Sequence, residues 1–165
     1  MVIDYPVKMS LRLRPINQPR IIVTAGVKSI DQTLAHTQEF EFDFVANDQA
    51  IVQVHHVDKL DSDPDTAVEI TSVSFFGITD PQFAWAGIYT PNYPAHLTGL
   101  EELPGQTYLG WNGVWQMEFS VPVFSWMHQN SIWDGYINST RYGWLGSFCK
   151  HEQCRPRLPA FQTHD

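Results

Sequence analysis

The dominant period of the apolar residues in this chain is two, and that period decides what the chain can fold into. Val7, Met9, Leu11 and Leu13 alternate with Lys8, Ser10, Arg12 and Arg14. Successive side chains of a strand point to opposite faces, so this run is a half-buried strand with one basic face. Phe40, Phe42 and Phe44 alternate with Glu39, Glu41 and Asp43, a strand whose polar face is wholly acidic. Residues 20–24 are rich in β-branched side chains, which suit a strand, and Gly26 punctuates them. Ala50 to Val57 places Val52, Val54 and His56 on one side, and the Asn47-Asp48 turn before it predicts a hairpin with the Phe40–Phe44 strand. Residues 67–78 read as one long strand ended by Gly77 and Asp80-Pro81. The last clear strand covers residues 114–121, with Trp115, Met117, Phe119 and Val121 forming its apolar face.

Between these strands the patterning changes. Residues 81–113 hold four prolines and five glycines and keep no period. They predict a long aromatic-studded excursion with short strand pieces near Ile88 and Tyr108; loops of that length are usually functional or packed by their own side chains. Residues 122–129 fit a helical turn or a strand bend equally, and residues 137–148 carry a weak final strand pattern. Seven or eight strands with no helical stretch over ten residues make the chain all-β, a β-sandwich or jelly roll with long aromatic-, Gly- and Pro-rich loops. The expected organisation is one domain over residues 1–149 followed by an extended C-terminal arm, 150–165, where Pro156 and Pro159 forbid regular strand pairing.

Charge narrows the function. The 165 residues carry 10 Lys and Arg against 18 Asp and Glu, a net charge of −8. No Lys or Arg occurs between Lys59 and Arg141, a stretch whose surface would repel a phosphate backbone, so nucleic acid is not an expected partner. No apolar run approaches the ~18–20 residues of a membrane span, and membrane insertion is not expected. No Gly-x-Ser-x-Gly, phosphate loop or dinucleotide fingerprint is present, and the expectation is a protein that is not an enzyme.

Four groups of residues stand out as candidate sites. Asp61, Asp63 and Asp65 follow the alternate spacing that lets carboxylates converge on a hard cation, although Thr66 and Ser72 stand where an EF-hand needs Gly and Glu. Asp48 and Asp58 are candidate additional ligands, and a solvated acidic turn is the alternative reading. His55 and His56 are adjacent on a strand, so one ring faces inward and one outward, and they cannot share a metal. Cys149 and Cys154, with His151 between them, form a string that fits zinc, a disulfide or two free thiols. The aromatics Tyr89, Tyr93, Tyr108, Trp111, Trp126, Trp133 and Trp144 lie in or beside Gly- and Pro-rich segments. Such rings pack loops onto sheets, anchor protein interfaces, or stack on the C–H face of a sugar.

The strings His56-Val-Asp58-Lys59, Ala67-Val-Glu-Ile70 and Phe75-Phe-Gly77-Ile78 resemble a group of cyanophage virion-associated proteins. So do the run from Trp85 to Pro94 and Tyr108-Leu-Gly110-Trp111-Asn112-Gly113-Val-Trp115, followed by Phe119, Pro122, Phe124, Trp126 and His128. The resemblance spans residues 39–128, and Tyr-Leu-Gly-Trp-Asn-Gly is its most specific string. It implies a small β-sandwich of contractile-tailed phages, located in the virion, with other virion proteins as partners in a tail, baseplate or fibre; a capsid decoration protein is an alternative. It implies no activity. A homo-oligomer or ring is expected, since the basic strand at 7–14 and the acidic strand at 39–44 fit one another within or between copies. The first part of the chain is also similar to calcium-dependent xylan-binding modules, although Asp63-Pro64-Asp65-Thr66 replaces the Asp-Arg-Asn-Leu string of those proteins. That likeness implies host glycans as the alternative partner and calcium as the one candidate cofactor.

Overall fold

The computed structural model describes residues 1–63 and 65–131, and they form two antiparallel sheets packed face to face. The weak strand at 137–148, the arm at 150–165, Trp133, Trp144, Cys149 and Cys154 lie outside the described residues. The expected β-sandwich is the observed fold.

One sheet contains β1 (Tyr5–Ile16), β4 (Gln38–Ala46), β6 (Ala67–Phe75), β7 (Ile78–Thr79) and β10 (Tyr108–Leu109), in the order β10-β6-β1-β4 with β7 beside β6. The other contains β2 (Arg20–Ala25), β3 (Lys28–Thr33), β5 (Gln49–Val57), β8 (Ile88–Pro91), β9 (Leu103–Pro104) and β11 (Gly113–Ser120), in the order β3-β2-β5-β11-β8-β9. The alternation seen in the sequence becomes the core directly. Val7, Leu11, Leu13, Ile21, Val23, Val52, Val54, Val73, Trp115 and Met117 are fully buried, while their chain neighbours on the outer faces are wet.

The hairpin expected between residues 39–44 and 50–57 does not form. β4 pairs with β1 in one sheet, and β5 pairs with β2 and β11 in the other. Both strands do bury their apolar rows, Phe40 and Phe42 on β4 and Val52, Val54 and His56 on β5. These rows face the core from opposite sheets rather than sharing one, so the Asn47-Asp48 turn carries the chain across the sandwich. Charge favours the observed partner. Lys8 is opposite Asp43, and Arg12 is opposite Glu39. The fit of the basic and acidic strands is therefore met within one molecule, and Lys8 Nζ lies 3.8 Å from Asp43. Glu39, Glu41 and Asp43 on this edge strand also discourage further strand pairing.

Three elements depart from the sequence reading. β3, unforeseen, completes a two-residue hairpin with β2 around Gly26-Val27, where Gly26 takes a positive φ of 61°. The long strand at 67–78 is broken by a tight turn at Phe76-Gly77, after which β7 folds back on β6. Asp80-Pro81 starts a helix instead of ending a strand: the Asp80 carboxylate accepts the Gln82 N–H at 2.9 Å, and Pro81 occupies the first turn of α1 (Pro81–Trp85). The undecided segment after Pro122 is α2 (Val123–Asn130), which buries Val123, Trp126 and Met127 at helical spacing. The helices add Phe83 and Trp126 to a ring cluster with Phe75 and Phe119, whose centroids lie 4.9 to 5.9 Å apart.

Candidate functional site

The Tyr108–Gly113 string is a strap between the sheets: it leaves the first as β10 and enters the second as β11. Its backbone is fastened at every residue. Tyr108 and Leu109 pair with Glu69 and Val68 of β6. The Leu109 carbonyl faces Nδ1 of the buried His56 at 3.1 Å, and the Gly110 carbonyl accepts from Lys59 Nζ. The Tyr89 hydroxyl takes both polar groups of Trp111, donating to its carbonyl at 2.6 Å and accepting from its N–H at 3.0 Å. The Asn112 carbonyl accepts the Asn92 N–H at 2.6 Å. Gly113 lies so close to Thr90 and Pro91 that a side chain would overlap their backbone.

Two loops close on this strap. In the 58–66 loop the Lys59 N–H donates to Asn112 Oδ1 at 2.8 Å, and Asn112 Nδ2 donates to the Lys59 carbonyl at 2.9 Å. Lys59 Nζ donates to the Thr66 carbonyl at 2.8 Å and stands 4.5 Å from the Trp111 ring centroid. From the 92–100 loop, His96 reaches within 4.0 Å of Asp61, and the Tyr93 ring packs against Gly99. Both His96 and Asp61 are well exposed, so this pair contributes little to stability.

The predicted site aromatics separate by burial. Tyr89 is 2% exposed, and burial pushes its phenol up to about 12 while the hydroxyl holds Trp111. Trp126 is 8% exposed inside the ring cluster. These two are packing residues and offer no open ring face, because each is enclosed by the core it helps to form. Tyr93 and Trp111 are half-buried and Tyr108 is 44% exposed. Trp111 lies against Lys59 of the acidic loop, and Tyr93 packs against Gly99 of its own loop; Tyr108 stands beside Glu69, itself paired to Arg14. Trp133 lies outside the described residues.

The candidate calcium ligands are not gathered around one point among the described residues. Asp61, Asp63 and Asp65 are exposed, and among the described residues no three carboxylate, histidine or thiol groups are gathered closely enough to hold a metal. Asp61 faces His96, while Asp63 and Asp65 act on Lys59. Asp58, a candidate additional ligand, is paired with Arg20, which also binds Asp31 through 2.8 Å and 3.0 Å contacts. His55 and His56 diverge to opposite faces, with His56 fully buried. In the sequence Lys59 and Asn112 stand only within the strings that carry the resemblance and not among the candidate site residues, although Lys59 is the last cation before the long stretch without one. Open grooves of about 760 Å³ and 490 Å³ lie over the outer sheet faces, and neither is lined by an expected site residue.

No protein-family model matches the chain, and no curated protein matches it. Two solved structures resemble it remotely. One is vCBM60 in complex with galactobiose, at 17% identity and a TM-score of 0.46, covering 67% of this chain and 96% of that one. The other is the selenomethionine form of vCBM60, described with a circular permutation that links two families of calcium-dependent carbohydrate-binding modules. It has 16% identity and a TM-score of 0.46, and covers 67% of this chain and 89% of that one. Likeness at this level assigns neither a ligand nor a metal to this chain.

Proposed function

We propose that the chain is a non-catalytic carbohydrate-binding module whose sugar site is the loop cluster around Trp111. The observation that carries this reading is the anchoring of Trp111: both polar groups of its backbone are held by Tyr89 and Lys59 Nζ stands over one face of its ring, yet the residue is only half-buried. A fixed, part-open ring loses little freedom when a ligand stacks on it, which lowers the cost of binding. Asp61 and His96 stand in the adjoining loops with exposed polar atoms, groups of the kind that accept and donate hydrogen bonds to sugar hydroxyls. The acidic surroundings suit a neutral or cationic glycan and disfavour an anionic one. A glycan array probed with the full chain and with Trp111→Ala tests the reading. Binding by the wild-type chain that is lost in a folded variant supports it; equal binding by both rejects the site.

A second reading is assembly within a virion, with other virion proteins or further copies of the chain as partners. It is favoured by the stack of Phe76 and Phe124, whose centroids are 4.9 Å apart although Phe124 is 55% exposed. Ile78, two residues on, is also exposed. Exposed aromatic side chains of this kind are enriched at the centres of protein interfaces. Washed particles analysed by mass spectrometry test that reading, and absence of the chain from them counts against it.

A further inference from the structure

The Lys59 side chain is unusual for its position. Lysine is almost never fully buried unless paired, yet Lys59 is 9% exposed. Its Nζ is received by two backbone carbonyls, those of Thr66 and Gly110, from two different loops. The Trp111 ring lies beneath it at 4.5 Å. The Asp63 and Asp65 carboxylates act on it favourably and oppose the effect of burial, which by itself pushes the amine's pKa down. Backbone carbonyl oxygens converging from separate loops, with carboxylates in the surroundings, are part of the ligand set of a hard cation. Here the centre of that oxygen set is an ammonium group already attached to the chain.

We infer that Lys59 is a built-in cation that fastens the acidic loop to the Tyr108–Gly113 strap, in the role that a bound metal ion would otherwise fill. The tether explains why Asp63 and Asp65 need not converge on a metal. Their negative charge is balanced locally by Nζ, and the backbone carbonyls that would complete a calcium shell are occupied by its N–H groups. The loop cluster then forms without any added ion, because the Thr66 and Gly110 carbonyls already have their cation in Nζ.

Thermal unfolding of the full chain tests this without reference to any sugar, so its outcome is separate from that of the glycan-binding reading. For the wild-type chain, millimolar calcium and excess EDTA are each expected to leave the midpoint within about 1 °C of the untreated value. Lys59→Met keeps the stem and removes the charge, leaving two carbonyls unpaired and two carboxylates unbalanced; its midpoint is expected to fall by roughly 5–10 °C. Lys59→Gln supplies a neutral amide donor group without charge and is expected to fall between the two. A calcium-induced rise of several degrees in the wild-type chain overturns the inference, and that arm needs no variant to fold. A Lys59→Met midpoint equal to wild type overturns it as well.

Discussion

The side-chain amide of Asn112 pairs with both backbone polar groups of Lys59, accepting its N–H at 2.8 Å and donating to its carbonyl at 2.9 Å. One side chain thereby replaces a rung of a β-ladder and joins residues 53 positions apart in sequence. Asn112→Ala removes both bonds and leaves two half-buried backbone groups unpaired, an expected loss of about 2–3 kcal/mol in urea unfolding with an unchanged m-value. Asn112→Asp keeps the acceptor and loses the donor, so it is expected to sit between alanine and wild type.

Gly87 and Gly77 separate two reasons for glycine. A Cβ at Gly87 would overlap the indole of Trp115, which is fully buried and has no room to move. Gly87→Ala is therefore expected to cost about 2–3 kcal/mol through overpacking. Gly77 has open space around it but a positive φ of 78°, so Gly77→Ala is expected to cost only about 1 kcal/mol, from backbone strain. Chemical denaturation of the two variants side by side reads the difference.

Burial lowers the pKa of His56 below its ordinary 6.5, and that of His55 as well. The folded chain consequently binds fewer protons than the unfolded one as pH falls through about 6.5, and stability is lost on the acid side of that value. The expected slope is up to about 1.4 kcal/mol per pH unit for His56, with a smaller share from the more exposed His55. Above the unfolded value both histidines are neutral in either state and the slope from them vanishes. Urea unfolding between about pH 5 and pH 7.5 measures this slope, which should shrink in His56→Leu even though that variant starts from a different stability.

The strands were legible wherever one face is buried, because a period of two survives in the composition of β1, β4, β5 and β11. Strand partners were not. β4 and β5 are adjacent in the chain with a good turn between them, and only the charge match of β4 to β1 and the two occupied edges of β5 decide against a hairpin. β3 escaped notice because its side chains are mostly exposed and its apolar content is one residue, Ile30. Asp80-Pro81 was a visible signal with two meanings, a stop for β6 and a start for α1; the Gln82 N–H accepted by Asp80 selects the second. At the site, aromatic type does not distinguish Tyr89 from Tyr93, and burial depends on which loop lies over each ring. Lys59 and Asn112 were hidden for a similar reason: their pairing is a property of two loops meeting, and neither loop has a period.

The placement of a glycan site at the loop cluster is tested most directly by following backbone amide and tryptophan indole NMR signals during titration with an oligosaccharide selected on the array. The account predicts shifts at the Trp111 indole, Tyr93, His96 and the Asp61–Asp65 loop, with the buried Trp115 indole unmoved. Shifts confined to the outer sheet faces, around Gln53 and Gln116 or around Ser10 and Ser74, would contradict it.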